Sequence, residues 1–141
     1  MVESTKKSAF TAEERAAMRE RARENKAALK GAEAEKAVLA AIEKMAEDDR
    51  TIARHVHDIV RATAPHLVPK TFYGSPGYAR DGKVVLFYQD KARFKTRYST
   101  LGFQEAAALD DGDFWPTAFA VAGWSPAVEA EVTRLVRRAA G

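Results

Sequence analysis

The sequence predicts an α+β domain built around a curved antiparallel sheet flanked by helices, with a helical extension in front of it. Three observations carry this. Apolar residues recur at helical spacing between residues 12 and 63 and again after residue 125. Between residues 70 and 123 the period falls to two, and turn formers such as Asp81-Gly82 separate the runs. The strand signals therefore form one contiguous block instead of alternating with helices, as a doubly wound nucleotide-binding sheet requires.

Taken in order, Met1 to Ser8 is polar and expected to fray. Thr11 and Glu14 form a capping box ahead of AEERAAMRERARENKAALK, a run of good helix formers that predicts a helix from Ala12 to Lys30. Its apolar side chains are mostly alanine plus Met18 and Leu29, a narrow stripe that places it on the surface. Gly31 is expected to end it. A second helix, Ala32 to Met45, would present Val38, Leu39, Ile42 and Met45 to the core. Glu47, Asp48 and Asp49 open a third, where the helix dipole favours acids, and Ile52, Val56, Ile59 and Val60 line its inner face before Pro65 stops it.

Lys70 to Tyr73 reads as a short strand, followed by a turn through Gly74-Ser75-Pro76-Gly77. Asp81-Gly82 joins strands Gly77–Arg80 and Lys83–Gln89 as a hairpin. In KVVLFYQ both alternating sets are apolar, which makes Lys83–Gln89 a central strand covered on both faces. A further strand is expected over Arg93–Leu101, then a helical turn over Gln104–Leu109. The last strand is expected over Trp115–Gly123, with Ala118, Ala120 and Ala122 against a helix. Ser125 caps the closing helix, Pro126 takes its first position, and Val128, Val132, Leu135, Val136 and Ala139 form its buried stripe.

Composition narrows the chemistry. The chain has 141 residues, 46% of them hydrophobic, enough for one domain with a core. It has no cysteine, which excludes disulfides, thiolate metal sites and cysteine nucleophiles. No apolar run approaches the ~20 residues of a membrane span, and VESTKKS lacks an apolar leader, so a cytoplasmic protein without membrane contact is expected. P-loop, dinucleotide, zinc-protease and nucleophile-elbow motifs are missing from the sequence.

Charge is unevenly spread. Residues 66–103 carry seven basic and two acidic groups, whereas residues 104–141 carry three and six. On the expected strand Arg93–Leu101, Arg93, Lys95 and Arg97 fall on one face. That face is the solvent side of a half-buried sheet. With Lys83, and with Tyr73 and Tyr78 as stacking groups, it is also a candidate surface for an anion or a nucleic acid. Asp110, Asp111 and Asp113 around Gly112 do not follow the EF-hand spacing and read first as a turn. They are nonetheless the candidate oxygen ligands for a loosely held hard cation. His55 and His57 lie about 200° apart around a helix and cannot chelate one metal together, while Asp58 could orient His55. An enzyme is the least supported reading: His66, Lys70, Tyr73 and Tyr78 could converge on a pocket, yet no nucleophile–base–orienter set stands out.

The segments PKTFYGSPGYARDGKVVLFYQ, FKTRYSTLGF and LDDGDFWPTAFAV, in that order, resemble the YdhG-like domain-of-unknown-function family, placed with YjbR and CyaY in the frataxin-like superfamily. The resemblance covers about residues 50 to 140. It implies a compact α-β-α domain over residues 47–141, with residues 1–46 as an extension. Some members of that superfamily are described as intracellular iron chaperones, so iron and a protein acceptor are what the resemblance implies as ligand and partner. The acids available here are Glu47, Asp48 and Asp49, and Asp110, Asp111 and Asp113, and neither set matches an iron-binding ridge residue by residue.

Overall fold

A computed structural model describes residues 11–141, so the expectation for Met1–Ser8 lies outside the described residues. The chain divides into two compact units, Met1–Glu33 and Ala34–Gly141. Helix α1 runs unbroken from Ala12 to Glu43, and the Thr11 hydroxyl accepts the Glu14 amide at 3.1 Å. Gly31 does not end the helix as expected. A single glycine costs a helix only about 1 kcal/mol relative to alanine, and strong helix formers surround it here. From Thr11 to Lys30 every residue is exposed, as the alanine stripe predicts.

Within Ala34–Gly141, the end of α1 contributes Val38, Ile42 and the following Met45 to the core, whereas Leu39 remains 41% exposed. Helix α2, Glu47–Thr63, buries Ile52, Ala53, Val56 and Val60. Five strands follow in an open antiparallel meander, β1 (Val68–Pro69), β2 (Gly77–Arg80), β3 (Lys83–Gln89), β4 (Ser99–Phe103) and β5 (Ala118–Val121), in spatial order of sequence. A four-residue helical turn, α3 (Lys91–Phe94), connects β3 to β4, and α4 (Pro126–Ala140) closes the chain. The β2–β3 hairpin turns on Asp81 and Gly82, both at positive φ, as the Asp-Gly pair predicts. Its register shifts between Tyr78 and Ala79, a bulge that adds curvature.

One face of the sheet, with Tyr78, Leu86, Tyr88, Leu101, Phe103 and Val121, joins α2 and α4 in the core. At α4 the Ser125 hydroxyl accepts the Val128 amide at 3.2 Å, and Val132, Leu135, Val136 and Ala139 are buried as expected. On the opposite face Phe87 stacks on Phe72 with ring centroids 4.8 Å apart.

Besides the helix that Gly31 does not end, four expected elements differ. Lys70–Tyr73 is a loop with an isolated bridge from Phe72 to Ser75, since the edge position is already held by Val68–Pro69 pairing with β2. The strand expected over Arg93–Leu101 begins only at Ser99. β3 ends at Gln89, which pairs with Thr100, so residues 90–98 have no strand to pair with and close as a connection. Residues 104–107 form a turn, Ala107 N–H to Gln104 O at 3.0 Å, rather than a helical turn. In β5 the faces are reversed. Pairing of Leu101 with Phe119 and Ser99 with Val121 puts the large residues toward the helices and leaves Ala118 and Ala120 exposed.

Candidate functional site

Two connections of the sheet meet at a solvent-facing ridge. The first is the turn Phe72–Ser75, closed by reciprocal backbone bonds: Phe72 N–H to Ser75 O at 2.7 Å and Ser75 N–H to Phe72 O at 2.9 Å. Its two central residues, Tyr73 and Gly74, have φ of 49° and 79°. Such a turn takes Asn, Asp or Gly at its first central position, and a tyrosine held there is sterically unfavourable. Tyr73 is nevertheless 80% exposed, so burial of its ring does not offset the strain. The ring is held from one side. Phe72 meets it edge-on at 4.7 Å, Phe72 stacks on Phe87, and the Phe87 ring lies so close over Gly102 that a Cβ there would come within 2.2 Å of it. A ladder of rings thus rises from the sheet backbone to solvent.

The second connection is residues 90–98, where α3 ends on Lys95 in the left-handed region at φ 54°. Every residue from Ala92 to Tyr98 is exposed. Arg93 ties the two connections together: its guanidinium donates to the Tyr73 carbonyl at 2.5 Å, lies over Gly74, and sits 5.1 Å from the Phe94 ring. Gly74 is favoured by its positive φ, and a Cβ there would fall 2.4 Å from that guanidinium and displace it. Arg97 stands 5.2 Å over the Tyr98 ring. The Thr96 hydroxyl donates to Tyr98 O at 2.8 Å and folds the tip back.

A buried polar network anchors α3 to the core. Asp49, 1% exposed, accepts from the Tyr88 hydroxyl at 2.6 Å, the Ser99 hydroxyl at 2.5 Å and the Lys91 ammonium at 3.2 Å. The Ser99 oxygen in turn accepts the Lys91 amide at 2.9 Å, and Lys91 also reaches Asp48 at 2.7 Å. The hydrogen bond to Asp48 raises the Lys91 pKa, and the same bond lowers that of Asp48. Burial, then the hydrogen bond to Asp49, pushes the Tyr88 phenol far above its usual range. Lys91 is thus occupied internally, and Arg93, Lys95 and Arg97 carry the outward charge.

Clefts lie on both sides of the ridge. One, of about 770 Å³, has a floor of Ala37, Ala40 and Ala41 and carries Lys44, Arg93 and Asp90. The other, of about 520 Å³, is flanked by Tyr73, Lys70, Lys83 and Glu105, with the Lys70 ammonium 3.3 Å from Gly82 O. Of the residues singled out in the sequence, Tyr73 and Arg93 are in direct contact and Lys83 lines the same cleft as Tyr73, while Lys95 and Arg97 lie on the exposed connection that carries Arg93; those three cations sit on a turn and loop, not in a row on a strand. Phe94 and Tyr98, which alternate with those cations along the chain, are partly exposed on the same connection. Their alternation with the cations was the signal for them.

Tyr78 does not belong to it. Fully buried, its hydroxyl lies 2.8 Å from His57 Nδ1, and burial pushes the phenol far above its usual range. His57 Nε2 is 3.2 Å from Glu35, which is itself 3.6 Å from Arg61. This Tyr–His–Glu line joins α1, α2 and β2 and is closed to solvent at the tyrosine. Lys70 and Tyr73 line one cleft, whereas Tyr78 is buried against His57 and His66 bonds Ala140 O at 3.1 Å, so the four do not converge. His55 stacks on Trp124 at 4.9 Å and 6°, and no hydrogen bond links it to Asp58 among the described residues. Asp110, Asp111 and Asp113 lie exposed in the connection before β5, where Arg138 donates to the Asp110 carbonyl at 2.9 Å. Among the described residues no three His, Asp or Glu side chains are grouped so as to hold a metal ion, and no helix is long and apolar enough to cross a membrane.

The fold and this surface define an α+β protein with an exposed cation–aromatic ridge. Compared with known proteins, the chain matches no family model, no curated protein and no solved structure.

Proposed function

We propose that this chain is a binding protein for anionic polymers and that the ridge of Tyr73, Arg93, Lys95 and Arg97, with Lys83 beside it, is the binding surface. The observation that carries this is conformational. Three non-glycine residues have positive φ, among the described residues. Asp81 is a natural turn former, but Tyr73 and Lys95 are not, and both display their side chains on this ridge. Backbone strain of order 1–3 kcal/mol per residue persists where surrounding structure enforces it, and such positions cluster at functional sites. Here Arg93, the Phe72–Phe87 stack and the Asp49 network enforce it.

Among the described residues the acids offer no comparable arrangement, and the basic surface supports the polyanion reading over the iron reading that the frataxin-like resemblance implies. Titration with long-chain polyphosphate, which has charge but no bases, tests the proposal. Binding that weakens steeply between low and moderate salt is expected. Absence of binding at low ionic strength, or binding indifferent to salt, refutes it.

A further inference from the structure

Resting on that reading, we infer that the polymer is single-stranded nucleic acid, held by stacking of its bases on Tyr73 and Tyr98 while the neighbouring cations follow the phosphates. Charge alone would be served by lysines and arginines on any exposed loop. What charge does not explain is the aromatic set. Tyr73 is exposed at a strained turn position, its ring propped by Phe72 on one side. Phe94 and Tyr98 alternate with Arg93, Lys95 and Arg97 in a segment exposed throughout, and Arg93 and Arg97 lie over the faces of Phe94 and Tyr98, a cation–π pairing that a stacked base would share or displace. A solvated Tyr73 and the partly exposed Phe94 and Tyr98, interleaved with cations, match what a single strand offers, a flat face on every base and one negative charge per nucleotide.

Duplexes fit poorly. Their bases are stacked within the helix, and reading them takes a helix or ribbon that enters a groove. The cationic element here is α3, a four-residue turn followed by a folded-back tip. No side chain on the ridge is set as a bidentate amide or carboxylate for base edges, so the binding has little sequence preference.

The experiment is a fluorescence titration of the full chain with labelled oligothymidylate of ~16 nucleotides, within the range of single-strand site sizes, and with a duplex of equal charge, polyphosphate, and vesicles of phosphatidylserine in phosphatidylcholine. The inference predicts tightest binding to the single strand. It also predicts a loss of about 5- to 150-fold for Tyr73→Ala or Tyr98→Ala, which is what removal of one stacking ring costs, and retention in Tyr73→Phe. Both rings are exposed, and an unchanged thermal melt of each variant shows that folding is intact. If polyphosphate binds as well as the single strand and the alanine variants bind normally, the inference falls while the polyanion reading stands. Preference for the duplex or the vesicles overturns it too, and failure of every polyanion to bind overturns both.

Discussion

Replacing Asp49 with alanine probes the network that fixes the ridge to the core. The carboxylate accepts two buried hydroxyls, Tyr88 and Ser99, and the Lys91 ammonium. Its removal leaves the two hydroxyls without this acceptor in a region closed to water. An unsatisfied buried polar group costs about 1–3 kcal/mol, so the change should cost about 2–5 kcal/mol. That is a large fraction of the ~5–15 kcal/mol by which domains are stable. Urea unfolding followed by tryptophan fluorescence reads it. The midpoint should fall while the denaturant slope stays constant. Tyr88→Phe alone should cost about 1 kcal/mol, and the double variant less than the sum of the two by a similar amount, because the phenol no longer lacks an acceptor. A loss below ~1 kcal/mol for Asp49→Ala, or additive single changes, would refute the reasoning.

Further outcomes follow from other positions. Gly31→Pro should lower helical circular dichroism and weaken α1 by about 3 kcal/mol; a helix that ended at Gly31 would show no such loss. Gly102→Ala drives a Cβ into the Phe87 ring and should destabilise by about 1–3 kcal/mol, and it should also weaken polyanion binding by unseating Phe72 and Tyr73; wild-type stability would contradict the ring ladder. Tyr78 and Tyr88 hold their protons in the folded state at pH values where unfolded tyrosines ionise, near 10. The unfolded chain thus binds fewer protons above that pH, and stability should fall as pH rises beyond ~10, by at most ~2.7 kcal/mol per unit for the pair. Two of the four tyrosines would then ionise, by absorbance at 295 nm, only as the protein unfolds; ionisation of all four without unfolding would contradict their burial.

Where local chemistry decides the structure, the sequence was a reliable guide. Asp81-Gly82 specifies its hairpin because both residues tolerate positive φ, and Ser125-Pro126 specifies the start of α4 because one accepts a helix amide and the other has none to lose. Residues 93–98 show the limit. RFKTRY alternates as a strand would, but pairing is a long-range decision. β4 begins where β3 ends, at the Gln89–Thr100 pair, and the hydrogen bond from Ser99 to Asp49, fifty positions away, anchors that point. Side-chain direction in β5 likewise depends on its register with β4. The candidate cations were legible by composition and position, whereas the strained display of Tyr73 needs the bridge to Ser75 and the guanidinium of Arg93 to be seen. Tyr78 could not be told from Tyr73 by sequence, since its burial in the core and its hydrogen bond to His57 depend on other elements.

The central claim, that Arg93, Lys95 and Arg97 contact a polyanion, is met most directly by the salt dependence of binding to a single-stranded oligonucleotide. For the wild-type chain and for a variant with all three changed to glutamine, log K would be plotted against log salt concentration. Three lost phosphate contacts should make the slope shallower by about 2. An identical slope for the two proteins would contradict the account.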